Sequence, residues 1–220
     1  TVLSPLGMIW QARTAARIAR TSPEKAGAPV ICIGNAVAGG AGKTPVAIAV
    51  ADSLMRREVT PHFLSRGYGG TQLGPVRVEL GRHSAKDVGD EPLLLAMVAP
   101  TWVARDRVAG ATAAVSQGAG MIVMDDGFQN PSLFKDVSIL VVDGGYGFGN
   151  RRVMPAGPLR EPVEDALDRA DAVAILGTDH QEIEKHIGGR KPVIVARFVP
   201  TLEDDDLSGM PVVAFAGIGR

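Results

Sequence analysis

The sequence predicts an α/β fold in which a mostly parallel sheet carries helices on both faces, and three observations lead there. Apolar, β-branched runs alternate with longer stretches of helical character, the pattern of strands buried on both sides. The run Val30-Ile31-Cys32-Ile33-Gly34 opens into Gly39-Gly40-Ala41-Gly42-Lys43-Thr44, and the helical segment Pro45-Val46-Ala47-Ile48 follows. A second apolar run, Met121-Ile122-Val123-Met124, ends in the adjacent carboxylates Asp125-Asp126. A strand, a glycine-rich loop closing on Gly-Lys-Thr and a helix make a phosphate-binding loop, so the expected fold is P-loop NTPase-like.

The first element is a helix over 5–20. Arg13, Arg17 and Arg20 fall at helical spacing on one stripe, and Met8, Ala12, Ala15 and Ala19 fall opposite. A basic amphipathic helix with Trp10 near the boundary of its faces suits an anionic bilayer surface. Packing on the domain through the alanine-rich face is the competing reading. Strand 30–34, helix 44–58, strand 61–65 and strand 75–80 come next. Helix 90–99, strand 101–104, helix 105–117 and the strands 120–124 and 137–142 continue the alternation. Helix 162–170, strand 172–177, helix 179–187 and strand 192–198 complete it.

Composition then shifts at Pro200-Thr201-Leu202-Glu203-Asp204-Asp205-Asp206. We read this acidic break as a boundary. Residues 1–199 form a P-loop domain that includes the N-terminal helix. Residues 200–220 hold a linker and, at 211–216, the first strand of a second, smaller α/β domain. The chain starts without Met and stops after that strand, so it is expected to be part of a longer protein.

Bulk properties narrow the function. Two hundred and twenty residues, 45% hydrophobic and 21% charged, suffice for one sizeable core. A net charge of −1 argues against a dedicated nucleic-acid binder. Cys32, the single cysteine, lies in an apolar run and reads as core packing. His62, His83, His180 and His186 lack the paired spacing of a zinc site. No apolar run reaches the roughly 18 residues of a membrane span.

Ligands of an open parallel sheet sit beyond the carboxyl ends of its strands, so the loops there are where chemistry is expected. In the phosphate loop, Val37, Ala38, Gly39, Gly40, Ala41, Gly42, Lys43 and Thr44 would bind the nucleotide. The glycines let N–H groups converge on phosphate, Lys43 reaches the β and γ phosphates, and the Thr44 hydroxyl sits on Mg²⁺. Val37 stands where the full pattern has Gly. Asp125 and Asp126, at a strand end, are the expected Mg²⁺ carboxylates. If strand geometry continues through them, they point to opposite sides.

Three more segments stand out. In Val88-Gly89-Asp90-Glu91-Pro92, Asp90 is either a helix N-cap or a general base that accepts a hydroxyl proton. Ser65-Arg66-Gly67-Tyr68-Gly69-Gly70 is either a mobile loop presenting Arg66 to phosphate or a plain glycine-rich turn. The long loop 147–162 carries Arg151, Arg152, Arg160 and Glu161, and loops of such length are often functional.

These segments together resemble the tetraacyldisaccharide 4′-kinase (lipid A 4′-kinase) family of Gram-negative bacteria. The pieces are Gly34-Asn35 with Gly39-Gly40-Ala41-Gly42-Lys43-Thr44-Pro45, then Leu64-Ser65-Arg66-Gly67-Tyr68-Gly69-Gly70 and Val88-Gly89-Asp90-Glu91-Pro92. Asp125-Asp126-Gly127-Phe128-Gln129 and Pro155-Ala156-Gly157-Pro158-Leu159-Arg160-Glu161 follow, in the family's order. A phosphate loop without its first Gly belongs to that pattern, so Val37 fits it.

The resemblance implies transfer of the ATP γ-phosphoryl to the 4′-hydroxyl of the lipid A disaccharide 1-phosphate, giving lipid IVA. It implies two α/β domains with the site at their cleft, ATP and Mg²⁺, and a peripheral place on the cytoplasmic face of the bacterial inner membrane. The partners expected are the lipid substrate and an anionic membrane surface, with no nucleic acid and no obligate protein. Lys43, Asp90 and Asp126 take the catalytic roles, and Thr44, Asp125 and Asp126 the metal. Arg66, Glu91, Arg152 and Glu161 are expected at the substrate. Arg151 departs from the family loop, which usually has Gly there. An Asp-His-His segment that partners the base in the family has no counterpart before Arg220. The rival reading is a P-loop GTPase or metallochaperone, but the Asn-Lys-x-Asp of guanine readers does not occur here.

Overall fold

The structure, a computed structural model, describes residues 3–199. The linker and strand expected at 200–220 lie outside the described residues. Eight strands are present among those described: β1 Val30–Gly34, β2 Pro61–Ser65, β3 Val76–Arg77, β4 Thr101–Val103, β5 Met121–Asp125, β6 Val137–Asp143, β7 Ala172–Leu176 and β8 Val193–Ala196. They form one sheet in the order β3-β4-β2-β5-β1-β6-β7-β8. Every pairing is parallel except β3 with β4. The helices are α1 Ser4–Arg20, α2 Lys43–Met55, α3 Ala85–Val88, α4 Asp90–Ala96, α5 Arg107–Ser116, α6 Val163–Arg169 and α7 Ile183–Ile187.

The central strands are buried on both faces because their apolar residues alternate between two cores. Ile33, Phe63 and Val123 pack with Ala47 and Ala51 of α2 and Leu95 of α4. Their neighbours Cys32, Leu64, Ile122 and Met124 pack on the other side with Ala111 and Ala114 of α5 and Ala166 and Leu167 of α6. Ala47 and Ala51 are fully buried one turn apart, and their small side chains let α2 lie close on the central strands. From β1 the chain passes to β2 on one side, and from β6 to β7 on the other. The loops after β1 and β6 therefore diverge and leave a crevice above the sheet.

Several expected elements are shorter in the structure. Strand 75–80 is shortened to Val76–Arg77; the Val78 N–H still donates to the Thr101 carbonyl of β4 at 2.8 Å, but the Glu79 N–H goes to His83 Nδ1 at 3.0 Å and not to the sheet. Helix 179–187 begins at Ile183, where the Asp179 carboxylate accepts the N–H groups of Ile183 and Glu184. Helices 44–58 and 90–99 end at Met55 and Ala96. Helix α3 is an addition to the expected elements, yet its signal is in the sequence: Ser84 and Asp87 form a reciprocal capping box.

Helix α1 is where expected, but it does not pack on the domain through its alanine-rich face. Gly7 is buried and Ser4, Gln11, Thr14 and Ile18 are half-buried. A side chain at Gly7 would meet the Val153 carbonyl at 2.9 Å, so this face lies close on the long loop. Ala12, Ala15 and Ala19 are exposed, and so is Met8, at 70%; the alanine-rich face does not pack on the domain. Leu6, Trp10, Arg13, Arg17 and Arg20 instead form an exposed stripe at i, i+4, i+7, i+11 and i+14, which touches the domain where Trp10 Nε1 donates to the Arg160 carbonyl and Arg17 to the Gln129 carbonyl, both at 3.2 Å.

Candidate active site

The glycine-rich loop is braced before it can hold anything. Asn35, fully buried at the end of β1, donates from Nδ2 to the Gly39 carbonyl at 3.3 Å. Residues 36–38 pair with 158–160: Arg160 N–H donates to Ala36 at 2.7 Å and Ala38 N–H to Pro158 at 2.8 Å. Val37 faces Leu159 across this short ladder and is 9% exposed. These contacts explain how Val replaces Gly there. The Ala38 N–H is already committed and Val37 anchors the loop, while both residues line a recess beside residues 141–148. The open cradle is 39–44, where Gly39 at φ +117° needs glycine. Gly42 (φ +77°) needs it too, because any side chain would strike Leu176.

Lys43 and Thr44, on the first turn of α2, meet the end of β5. Thr44 Oγ1 donates to Asp125 Oδ2 at 3.1 Å, and Lys43 Nζ lies 3.8 Å from Asp126 Oδ1. The two carboxylates do not diverge as a continuing strand would require. Asp126 adopts φ +52°, a left-handed turn that brings its carboxylate back toward the same loop. Arg160 Nη1 then pairs with Asp126 Oδ1 at 2.8 Å.

Asp125 is fully buried, and its Oδ1 has no hydrogen-bond partner. Burial, then repulsion from Glu91 and Asp126, pushes its pKa from 3.8 up to about 7. An orphaned buried carboxylate oxygen beside a threonine hydroxyl is the donor set Mg²⁺ takes when phosphates and waters complete its shell. Among the described residues no cluster of three or more His, Cys, Asp or Glu could hold a metal by itself. Mg²⁺ bound with a nucleotide needs only one or two carboxylates, so Thr44 and Asp125 fit it.

Around this core opens a cleft of about 950 Å³. Lys43, Arg66, Glu91, Arg107, Asp126 and Arg160 line it, with Trp10 and Arg17 of α1 at its border. Glu91 is half-buried, and burial is the main cause that raises its pKa. Arg107 is 3% exposed; burial, then the neighbouring Arg66 charge, lowers its pKa from 12.5 to about 10. A second recess of about 210 Å³ lies across the loop, between residues 36–41 and 141–148.

The remaining expected residues divide. Asp90 is exposed at the first position of α4; the N-cap is Gly89, and no side chain caps that helix. The capping role for Asp90 is thereby excluded. Arg66 does line the cleft. Arg152 does not: it lines a separate crevice against α1 and donates to Ser4 Oγ at 3.2 Å. Glu161 is 2% exposed, paired with Arg169 and not among the residues that line the cleft. Arg151, where the family has Gly, takes φ +57°, the backbone a glycine would adopt. Asn35 and Gln129 are not among the expected site residues, although both sit in the quoted motifs; no spacing rule identifies a brace.

A family model described as Tetraacyldisaccharide-1-P 4′-kinase (LpxK) matches residues 1–220. This chain belongs to that family. It is 56% identical over its full length to the tetraacyldisaccharide 4′-kinase of Rhodospirillum centenum, of which it covers 65%. With the Rhodospirillum rubrum protein of the same name the identity is 55%, over 67% of that protein. Among solved structures, LpxK from Aquifex aeolicus, crystallised in complex with ATP, superposes with a TM-score of 0.76 at 30% identity. That match covers 88% of this chain and 63% of that one. The chain thus spans about two thirds of the length of the relatives it matches. The match supports the P-loop NTPase-like fold, and the GTPase or metallochaperone reading gains nothing from these relatives.

Proposed function

We propose that this chain forms the nucleotide-binding, phosphoryl-transferring part of a tetraacyldisaccharide 4′-kinase. The observation that carries the reading is Lys43 and Thr44 facing Asp126 and Asp125 at the end of β5, in a chain matched by the family model from end to end. The ATP complex of the Aquifex aeolicus relative supports ATP as the donor. ATP would lie across the glycine loop. Its nucleoside would sit in the recess beside residues 141–148, and its γ-phosphate would reach the cleft that holds Lys43 and Arg160.

In the reaction, the 4′-oxygen of the acylated disaccharide 1-phosphate forms a bond to Pγ as the bond from Pγ to the bridging oxygen breaks. ADP leaves, and the hydroxyl proton passes to Asp90. Lys43 and Arg160 neutralise charge on the transferring group. Asp126 holds both cations in place. Arg66 and Glu91 contact the acceptor on the open side. Mg²⁺, held by Thr44 and Asp125, would supply charge neutralisation at the phosphates.

The exposed stripe of Leu6, Trp10 and three arginines meets the same cleft at Trp10 and Arg17, which supports a peripheral seat on an anionic membrane, at the cytoplasmic face. Among the described residues no helix is long and apolar enough to cross a membrane. Residues 1–199 would make one domain, with a second beginning in 200–220 and supplying the partner to the base.

The test is to incubate the full-length protein with MgATP and detergent-dispersed tetraacyldisaccharide 1-phosphate and score a new 4′-phosphate. Lys43→Ala serves as the control. Its expected loss is about 10²–10³-fold, as for other preorganised charge-stabilising groups. Failure of the wild-type protein to form the 4′-phosphate overturns the reading.

A further inference from the structure

Behind the cleft carboxylates runs a chain of side chains that ends outside the cleft. Arg160 Nη1, besides pairing with Asp126, donates to Gln129 Oε1 at 3.3 Å. Gln129 Nε2 donates to the Asn35 carbonyl at 2.8 Å and to Glu161 Oε1 at 2.9 Å. The other Glu161 oxygen pairs with Arg169 Nη2. Arg169 is the last residue of α6, and its guanidinium lies 5.5 Å from the centre of the Phe128 ring. Neither Arg169 nor Glu161 lines the cleft.

We propose that Arg169 is a positioning residue for phosphoryl transfer, acting through Glu161 and Gln129 on Arg160. A carboxylate paired with a guanidinium offers only acceptors. Glu161 therefore requires the NH₂ end of the Gln129 amide, and the Asn35 carbonyl takes the second hydrogen. The amide oxygen is left facing Arg160. Reversed, the amide would set its NH₂ against the Arg160 guanidinium, donor against donor, and push Arg160 off Asp126. Glu161 is nearly fully buried, so without Arg169 it loses its only ion-pair partner among the described residues, keeps just the longer-range Lys135 charge, and must rearrange or take a proton. A protonated Glu161 can donate, and the amide loses its fixed sense. Arg169 thus sets the orientation of Arg160 without touching a reacting atom.

The proposal rests on the kinase reading above, and its test separates the two. In the full-length protein, Arg169→Met is expected to lower kcat about tenfold, the scale of outer-shell losses, with KM for ATP changed less than twofold. Arg169→Lys, which keeps the charge, should recover most of that loss. In an Arg160→Gln background the same Arg169→Met change should cost less than twofold, because the group it positions is gone. A structural role for Arg169 in α6 or against Phe128 predicts equal losses in both backgrounds, and that result overturns the relay. So does a crystal structure of Arg169→Met in which Arg160 keeps its bond to Asp126 and Gln129 its present sense. That structural readout stands whether or not the wild-type protein phosphorylates the disaccharide.

Discussion

Thr44 Oγ1 and Asp125 Oδ2, 81 positions apart in the chain, lie 3.1 Å from each other. That bond ties the first turn of α2 to the end of β5. It satisfies one oxygen of a carboxylate whose other oxygen, buried, has no partner among the described residues. Burial, with repulsion from Glu91 and Asp126, therefore raises the Asp125 pKa despite the Thr44 bond.

This has a sign in pH. The folded-state pKa of Asp125 is raised, from 3.8 to about 7, so the native state keeps a proton that the unfolded chain has lost. Its contribution to stability is fully present below about pH 4 and is lost as pH rises through about 7, at about 1.4 kcal/mol for each pH step of one between those limits. Thermal melts of the wild-type protein and Asp125→Asn should diverge across that window, with the variant lacking the decline between about pH 4 and 7. Parallel curves from pH 4 to 8 would show that Asp125 titrates like an ordinary aspartate.

Asp90 now admits a cleaner test than its sequence allowed. Since Gly89 holds the N-cap position and Asp90 caps nothing, Asp90→Asn and Asp90→Ala should both leave stability within about 0.5 kcal/mol. Both should lower kcat by about 10²–10⁴-fold, the range for a general base. Glu91→Gln is the comparison, because Glu91 lines the cleft next to it. A larger kcat loss for Glu91→Gln than for Asp90→Asn transfers the proton-accepting role to Glu91.

The fold is legible in the sequence wherever local pattern and burial agree. The strands at 30–34, 120–124 and 172–177 can be read within a residue or two because strands buried on both faces show as unbroken apolar runs. The site is legible where a motif carries its own mechanism, as at Lys43 and Thr44. Legibility fails where one backbone angle decides direction: nothing local announces that Asp126 takes φ +52° and turns toward Lys43. Arg152 and Glu161 mislead for a related reason. Charge in a long loop points to both, but tertiary packing sends one to α1 and the other into the interior. The same loop hides the role of Arg160, whose partner lies 34 residues back in the chain.

The outward stripe of α1 predicts binding to anionic vesicles. Arg17 donates to the Gln129 carbonyl at 3.2 Å, so replacing it would disturb the cleft as well. Arg13 and Arg20 are the residues to change. Each basic side chain near an anionic surface contributes about 1 kcal/mol, so Arg13→Gln with Arg20→Gln should weaken binding to phosphatidylglycerol vesicles roughly 30-fold. MgATP affinity should hold, and added salt should weaken the wild type toward the variant. Co-sedimentation indifferent to both the substitutions and the salt would leave the stripe without an electrostatic role.

Arg151 supplies the last prediction. Gly147 and Gly149 take positive φ, and Arg151 follows at +57°, so the loop makes a left-handed step at every second residue from 147 to 151. Asn150 holds it there, donating to the Ala156 carbonyl at 3.1 Å and accepting the Arg152 N–H at 3.1 Å. A side chain in that backbone region costs about 1–2 kcal/mol. Glycine avoids the cost but loses about 0.5–1 kcal/mol of chain entropy on folding. Arg151→Gly should therefore stabilise the protein by up to about 1 kcal/mol, raising Tm by roughly 2–4 °C. Arg151→Ala removes the same charge and keeps the strain, so it should gain nothing. The difference between the two variants isolates the backbone contribution from any effect of the guanidinium. Equal melting temperatures for glycine and alanine would mean that residue 151 is unstrained and that the family's glycine there serves something other than the turn.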